Sequence, residues 1–380
     1  MGAMNELIDA AAVDGLRRRL EALGAPAAAS ISWTELAASV DRLDDLNLRA
    51  RSDLVSAALI ADLQAAGSAD AEAWAGIVRS LLLDETFRGW TIWPVSETVT
   101  TLSLADGSVE AFDDGLRLLG ELTPRLTCEF AIRRFLEADL DRALGIVQGW
   151  TSDQDEHVRR LASEGTRAFL PWAIRVRSLL AHPEATIPVL DALVHDESEY
   201  VRRSVANHLN DLSREHAPLV VETAARWLSA PDANTRSLVR HGLRTLVKRA
   251  DPAALALLGF EPVVVEVSDL RLGDATVVLP GELDFAFSIT NAGRSAAKLA
   301  IDFAVSYVKS NGTLAEKVFK LTTVELAAGE STTVRKRHGF RQMTTRVHYA
   351  GTHAVEVQVN GERYARTEFE VLLEPIPASR

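Results

Sequence analysis

Between about Asn5 and Leu258 apolar residues recur every three or four positions, a spacing that predicts amphipathic helices almost without interruption. The clearest are VDGLRRRLEALG, RSDLVSAALIADLQAAG and AEAWAGIVRSLLL, with glycine and proline marking the breaks. From Val263 the period changes to two. Leu283, Phe285, Phe287 and Ile289 alternate with polar or small residues before Asn291-Ala292-Gly293. Ile301, Phe303, Val305 and Tyr307 do the same before Asn311-Gly312, and Val355, Val357 and Val359 before Asn360-Gly361. Asn-Gly after an alternating run is a hairpin signal, because the turn needs positive φ at its centre. About seven strands in about 110 residues predict a small all-β sandwich of immunoglobulin-like type. The expected architecture is an α-solenoid of helical repeats over residues 1–261 followed by this sandwich over residues 262–380.

The repeat is visible within the helical part. DQDEHVRRLASEGTRAFLPWA, from Asp153, is echoed about 43 residues later by DESEYVRRSVANHLND, which ends at Asp211, a period typical of stacked helical pairs. Each copy has an acidic helix start, a Val-Arg-Arg step and a core of small residues. Glu164 in the first copy falls where Asn207 falls in the second. Stacking would align Arg159 and Arg160 with Arg202 and Arg203, and with Arg236, Arg240 and Arg244 of a third, weaker copy. Ordinary ion pairing between helices is the alternative for any single arginine pair.

Composition and charge narrow the function classes. With 380 residues, 47% of them hydrophobic, the chain has material for two cores. A single cysteine, Cys128, excludes a disulfide framework and a Cys-based zinc site and points to a reducing, cytoplasmic setting. No apolar run reaches the roughly 18 residues needed to cross a bilayer, no charged-then-apolar leader is present, and no membrane partner is expected. The formal charge of −12 argues against a polyanionic partner until it is divided. Roughly −14 lies in residues 1–156, roughly +4 in 157–250 and about zero in 262–380, so a local basic strip is available. The nine histidines lack metal-ligand spacing, and no phosphate-binding loop or dinucleotide fingerprint occurs, so no metal or cofactor is expected.

The runs CEFAIRRFL, VRRLASEGTRAFLPWA and SEYVRRSVANHLNDLS resemble those of the HEAT-like-repeat DNA alkylation repair glycosylases. With its appended sandwich the chain is similar to the AlkC branch, most strongly between about Trp90 and Lys248. The resemblance implies a monofunctional enzyme of base excision repair that acts as a monomer on double-stranded DNA containing alkylated bases. It would hydrolyse the N-glycosidic bond of cationic bases such as 3-methyladenine and 3-methylcytosine without flipping the base into a pocket. It further implies catalytic roles for Glu129, Glu164, Trp172 and Asp211. DNA contacts would come from Phe130, Arg159, Arg160, Arg167, Arg202, Arg203, Asn207, His208, Arg240 and Arg244.

These residue types suit that chemistry. A cationic base leaves without protonation, so what needs help is the oxocarbenium character of the deoxyribose, which a nearby carboxylate stabilises while another group orients water. Glu129 and Glu164 lie about one repeat apart, so equivalent positions on adjacent repeats would bring them together. Trp172 follows Pro171, which is expected to open a helix, and its ring could pack on a sugar. Trp90 and Trp93 are expected to pack in the core. The family's Gly-Thr-Arg-Pro-Arg step is altered, since Ala168 and Phe169 follow Arg167; one basic residue is missing, and weaker or displaced DNA binding is expected. The sandwich carries a basic run, Arg335-Lys336-Arg337-His338 with Arg341 and Arg346, that would either grip a second stretch of backbone or guard a strand edge. The competing function is a non-catalytic repeat module that binds DNA or protein through the same face.

Overall fold

The computed structural model describes residues 2–23, 30–341 and 347–373. The chain divides into two compact units, residues 1–242 and 243–380.

The first unit is helical, and side-chain caps set where its helices start. Asp9 accepts from the Ala12 amide at 2.8 Å before the helix Ala10–Glu21, and Asn47 accepts from Ala50 at 3.0 Å before Leu48–Ala65. Asp70 and Ser108 do the same before Ala71–Leu82 and Val109–Leu122. Leu48–Ala65 packs on Ile92–Asp106, which packs on Ile132–Ala138. Further along, Glu156–Glu164 packs on Glu199–Leu212, which packs on Thr235–Gly242. Small polar residues sit at these seams and let the helices approach closely. Ser56 bonds Thr98 at 2.9 Å, and the Ser204 and Ser163 hydroxyl oxygens lie 3.0 Å apart.

Hydrogen bonds explain the sequence repeat. Asp153, Asp196 and Asp232 each accept, at 2.8 Å, from the amide two residues on, forming the turn that starts a helix. The first arginine of each Val-Arg-Arg step folds back on that turn. Arg159 donates to the carbonyls of Asp153 (2.9 Å) and Gln154 (3.0 Å), and Arg202 to those of Asp196 (2.6 Å) and Glu197 (2.8 Å). Arg159 also forks onto both oxygens of Asp196, at 2.7 and 3.1 Å, tying one repeat to the next.

Helix formation stops at Glu164, and residues 165–176 run as turns. Pro171 does not open a helix as expected; the next one, Arg177–Ala181, starts later. The reason lies beside it, because Trp172 has φ +63°, a left-handed conformation that a right-handed helix cannot contain.

The second unit takes in two short helices, Arg244–Lys248 and Pro252–Leu257, which were expected to belong to the helical part. They side with the strands because the Asn360-Gly361 turn packs on them. The Asn360 amide donates to the Glu261 carbonyl at 2.8 Å, and a Cβ on Gly361 would lie 2.8 Å from the Ala250 carbonyl oxygen. Nine strands follow among the described residues, more than the expected seven, because β1 (Val265–Val267) and β2 (Arg271–Leu272) are too short to show alternation. The others are β3 (Thr276–Leu279), β4 (Gly281–Asn291), β5 (Ala297–Val308), β6 (Leu314–Leu326), β7 (Ser331–Phe340), β8 (Gly351–Val359) and β9 (Glu362–Leu373). One sheet runs β1-β4-β2 with β7 also on β4, and the other runs β3-β9-β8-β5-β6. Leu283, Phe285, Phe287 and Ile289 of β4 and Ile301, Phe303 and Val305 of β5 fill the space between the sheets. No helix of the described residues is long and apolar enough to cross a membrane.

Candidate active site

An unbroken chain of alternating charges links the two helix seams. Arg160 donates to Glu129 Oε2 at 2.7 Å and lies 3.3 Å from Glu164 Oε1. Arg167 donates to that same Glu164 oxygen at 2.6 Å and, through Nε, to Asp211 Oδ2 at 2.8 Å. Ser204, from the next repeat, donates to Glu164 Oε2 at 2.7 Å. Thr127 donates to Glu129 at 3.1 Å, and the Tyr200 ring lies 5.1 Å under the Arg160 guanidinium. Glu129 and Glu164 therefore converge on one cation. Contrary to expectation, they do not occupy equivalent repeat positions; Glu129 is in the turn before Ile132–Ala138, whereas Glu164 ends its helix. Their meeting depends on the length of Arg160 and on Gly165, where a Cβ would lie 2.8 Å from Ile132 Cγ2.

Burial alone would raise the Glu164 carboxyl, but Arg160, Arg167 and the Ser204 hydroxyl outweigh it and hold the group below the usual carboxylate range. Asp211 goes the other way: burial raises it in spite of Arg167. Glu164 is thus a fixed anion at neutral pH, balanced by two guanidiniums yet with a narrow face to solvent.

The turn segment after Glu164 is fixed from beneath. Arg133, fully buried, donates to the carbonyls of Ile174 (2.6 Å), Arg167 (2.8 Å) and Gly165 (3.3 Å). Burial lowers its guanidinium to about 10. On the outside of the segment Trp172 is 78% exposed. A large ring held in solvent on a strained backbone is a feature the packing does not require.

The remaining expected contacts divide. Arg159 and His208 are interior rather than surface residues. Arg159 is consumed by the turn and by Asp196, and the His208 ring bonds the Ser163 carbonyl at 2.9 Å and Thr186 at 3.2 Å. Burial lowers that imidazole to about 4, so it is neutral. Arg167 is likewise buried within the carboxylate network, where an arginine serves Glu164 and Asp211 before any phosphate. Arg202 closes its own turn, Arg203 pairs with Glu199 at 3.0 Å, and Asn207 bonds His241 at 3.0 Å. Arg240 is exposed and Arg244 half-buried. Phe130 stacks on Trp93 at 4.7 Å, and Trp93 itself is buried and donates to Glu97 at 3.1 Å. On the sandwich Arg335, Lys336, Arg337 and Arg341 are exposed, with Arg337 3.0 Å from Asp284; Arg346 lies outside the described residues. Among the described residues no group of histidine, cysteine and acidic side chains is arranged to hold a metal ion.

Arg133, Ser204, Tyr200 and Thr127 join the site without having been singled out. Arg133 had a signal, the Arg-Arg of CEFAIRRFL, which repeats the Val-Arg-Arg step. The other three are ordinary polar residues whose relevance arises only from the neighbouring repeat.

Residues 126–246 match the family model described as DNA alkylation repair enzyme. Residues 266–373 match the model for the C-terminal Ig-like domain of the uncharacterised protein YhaZ. YhaZ of Bacillus subtilis is 36% identical over 261 residues, covering 68% of this chain and 72% of that protein. Among solved structures, the alkylpurine DNA glycosylase AlkC of Pseudomonas fluorescens, bound to DNA containing an abasic site analogue, superposes with a TM-score of 0.73. It is 34% identical, over 97% of this chain and 99% of that one. Helical repeats ending in an Ig-like domain, matched along almost the full length of both chains, place this protein in the AlkC family of DNA alkylation repair proteins.

Proposed function

We propose that this chain is a DNA glycosylase that releases cationic alkylated bases, 3-methyladenine and 3-methylcytosine among them, from double-stranded DNA in the cytoplasm. The observation that carries the reading is the convergence of Glu129 and Glu164 on Arg160, at 2.7 and 3.3 Å. As the bond from C1′ to the base nitrogen breaks, its electron pair neutralises the base and positive charge spreads over C1′ and the ring oxygen. Glu164, held anionic, stabilises that charge. Glu129 has the more accessible side chain of the two, 14% against 8%. It orients a water molecule and takes its proton as the oxygen bonds to C1′, leaving an abasic sugar. Trp172 supplies a ring face for the sugar, and electrons of an aromatic face favour a developing cation. Because the base arrives already charged, no acid is needed to expel it and no base pocket is needed to read it. Asp211 acts through Arg167, which it holds against Glu164.

The test is Glu164→Gln. Release of methylated bases from alkylated duplex should fall by at least about 100-fold, with affinity for the duplex retained. Unchanged release would remove Glu164 from the chemistry. If the parent protein binds alkylated duplex and yields no free base and no abasic product, the chain is a binding module.

A further inference from the structure

The loss of a basic residue at the Ala168-Phe169 step is offset in the folded chain. The Arg175 guanidinium lies 4.5 Å from the centroid of the Phe169 ring, and that of Arg214 lies 4.8 Å from it. Phe169 is half-buried, whereas both arginines are exposed. They come from different elements, Arg175 from the segment carrying Trp172 and Arg214 from the turn just past the helix Glu199–Leu212. Two guanidiniums on one ring repel each other in the absence of an anion. The π face offsets part of that repulsion by attracting both cations. Asp211, 3.8 Å from Arg214, offsets more. The segment beneath is immobilised by Arg133 through three backbone carbonyls. The result is two planar, permanently charged forks gathered on one ring of the segment that carries the exposed Trp172, and such forks suit phosphate oxygens.

We infer that Phe169 organises Arg175 and Arg214 into a binding site for a DNA backbone phosphate adjacent to the sugar that Trp172 meets. Neither arginine stands in a Val-Arg-Arg step, so the repeat pattern gives no hint of them. This inference rests on the glycosylase reading for its choice of ligand, and it deepens that reading by naming what holds the strand beside the site. Phe169 is a positioning residue; it acts through the two arginines.

The experiment measures equilibrium binding of the full chain to a duplex carrying a tetrahydrofuran abasic analogue, at several salt concentrations. Arg175→Gln with Arg214→Gln should weaken binding and make the slope of log K against log salt shallower by about 1 to 2. Arg175→Lys with Arg214→Lys should keep the slope, since charge is retained, while losing affinity through the lost fork. Phe169→Leu should weaken binding with little change in thermal stability. A Gln double variant that folds, and binds with the parent's affinity and salt slope, would overturn the inference. So would a Lys double variant with the slope of the Gln variant. Binding is read without any base release, so a failure of the phosphate site and a failure of the glycosylase reading are separate outcomes.

Discussion

Arg160 holds the site together. It is the cation that Glu129 and Glu164 share, and its own side chain is 15% accessible, so little solvent is available to replace it. Arg160→Met keeps the stem and removes the charge. Without that cation Glu164 loses one of the groups that hold its carboxyl low, so the acid limb of the kcat/KM profile should move to higher pH. At neutral pH activity should fall on the order of 100-fold, read as base release against pH. His208 makes a different prediction, about stability. The unfolded chain takes up a proton on this imidazole near 6.5, the folded chain only near about 4. Between those values the unfolded state binds more protons, so stability falls as pH drops through the window, by on the order of 3 kcal/mol at its foot. Urea unfolding at pH 7 and pH 4.5 measures the loss, and His208→Gln should shrink it. The arginine pairs were legible in the sequence as a repeated motif. Which member of each pair closes a turn and which reaches a carboxylate was not, because that depends on side-chain direction from a helix whose rotation the pattern leaves open.

At the scale of elements, the segment 165–176 is where periodicity misleads. Its composition, with Pro171 followed by apolar residues, reads as a helix start, yet the chain turns left-handed at Trp172 and presents the ring to solvent. Three carbonyls that a helix would have satisfied internally are taken up by Arg133 instead. The strain costs stability without improving the packing, so relieving it should separate stability from function. Trp172→Gly fits the positive φ without penalty. The variant should be as stable as the parent or more stable by about 1 kcal/mol at most, read from its unfolding temperature, while base release falls. A Trp172→Gly protein that unfolds well below the parent would show instead that the ring packs in solution. Elements without such strain follow their patterns: the alternating runs of β4, β5 and β8 become buried-face strands, and helices begin at the acidic or amide caps that precede them.

At the scale of the whole molecule, the two units are each defined by their own core, and the boundary falls earlier than hydrophobic period suggests. Helices Arg244–Lys248 and Pro252–Leu257 follow the helical pattern, but the second covers the Asn360-Gly361 turn of the strand unit. A fragment of residues 243–380 should therefore unfold at a higher temperature than one of residues 262–380, which leaves that turn uncovered and lacks the Phe260 ring that Lys298 meets. Equal melting temperatures for the two fragments would place the boundary at 261 after all. Sequence alone determined the two classes of architecture and the register of the repeat, because periodicity and cap chemistry are local and each residue carries them wherever it is placed. Only the tertiary structure decided that Glu129 and Glu164 share one cation from unequal positions, that Arg159 and His208 are interior, and that Phe169 gathers two arginines. Those outcomes depend on contacts between residues some thirty to forty-five positions apart, where the closeness of two backbones, set by Gly165, Ser163 and Ser204, chooses which long side chains can meet.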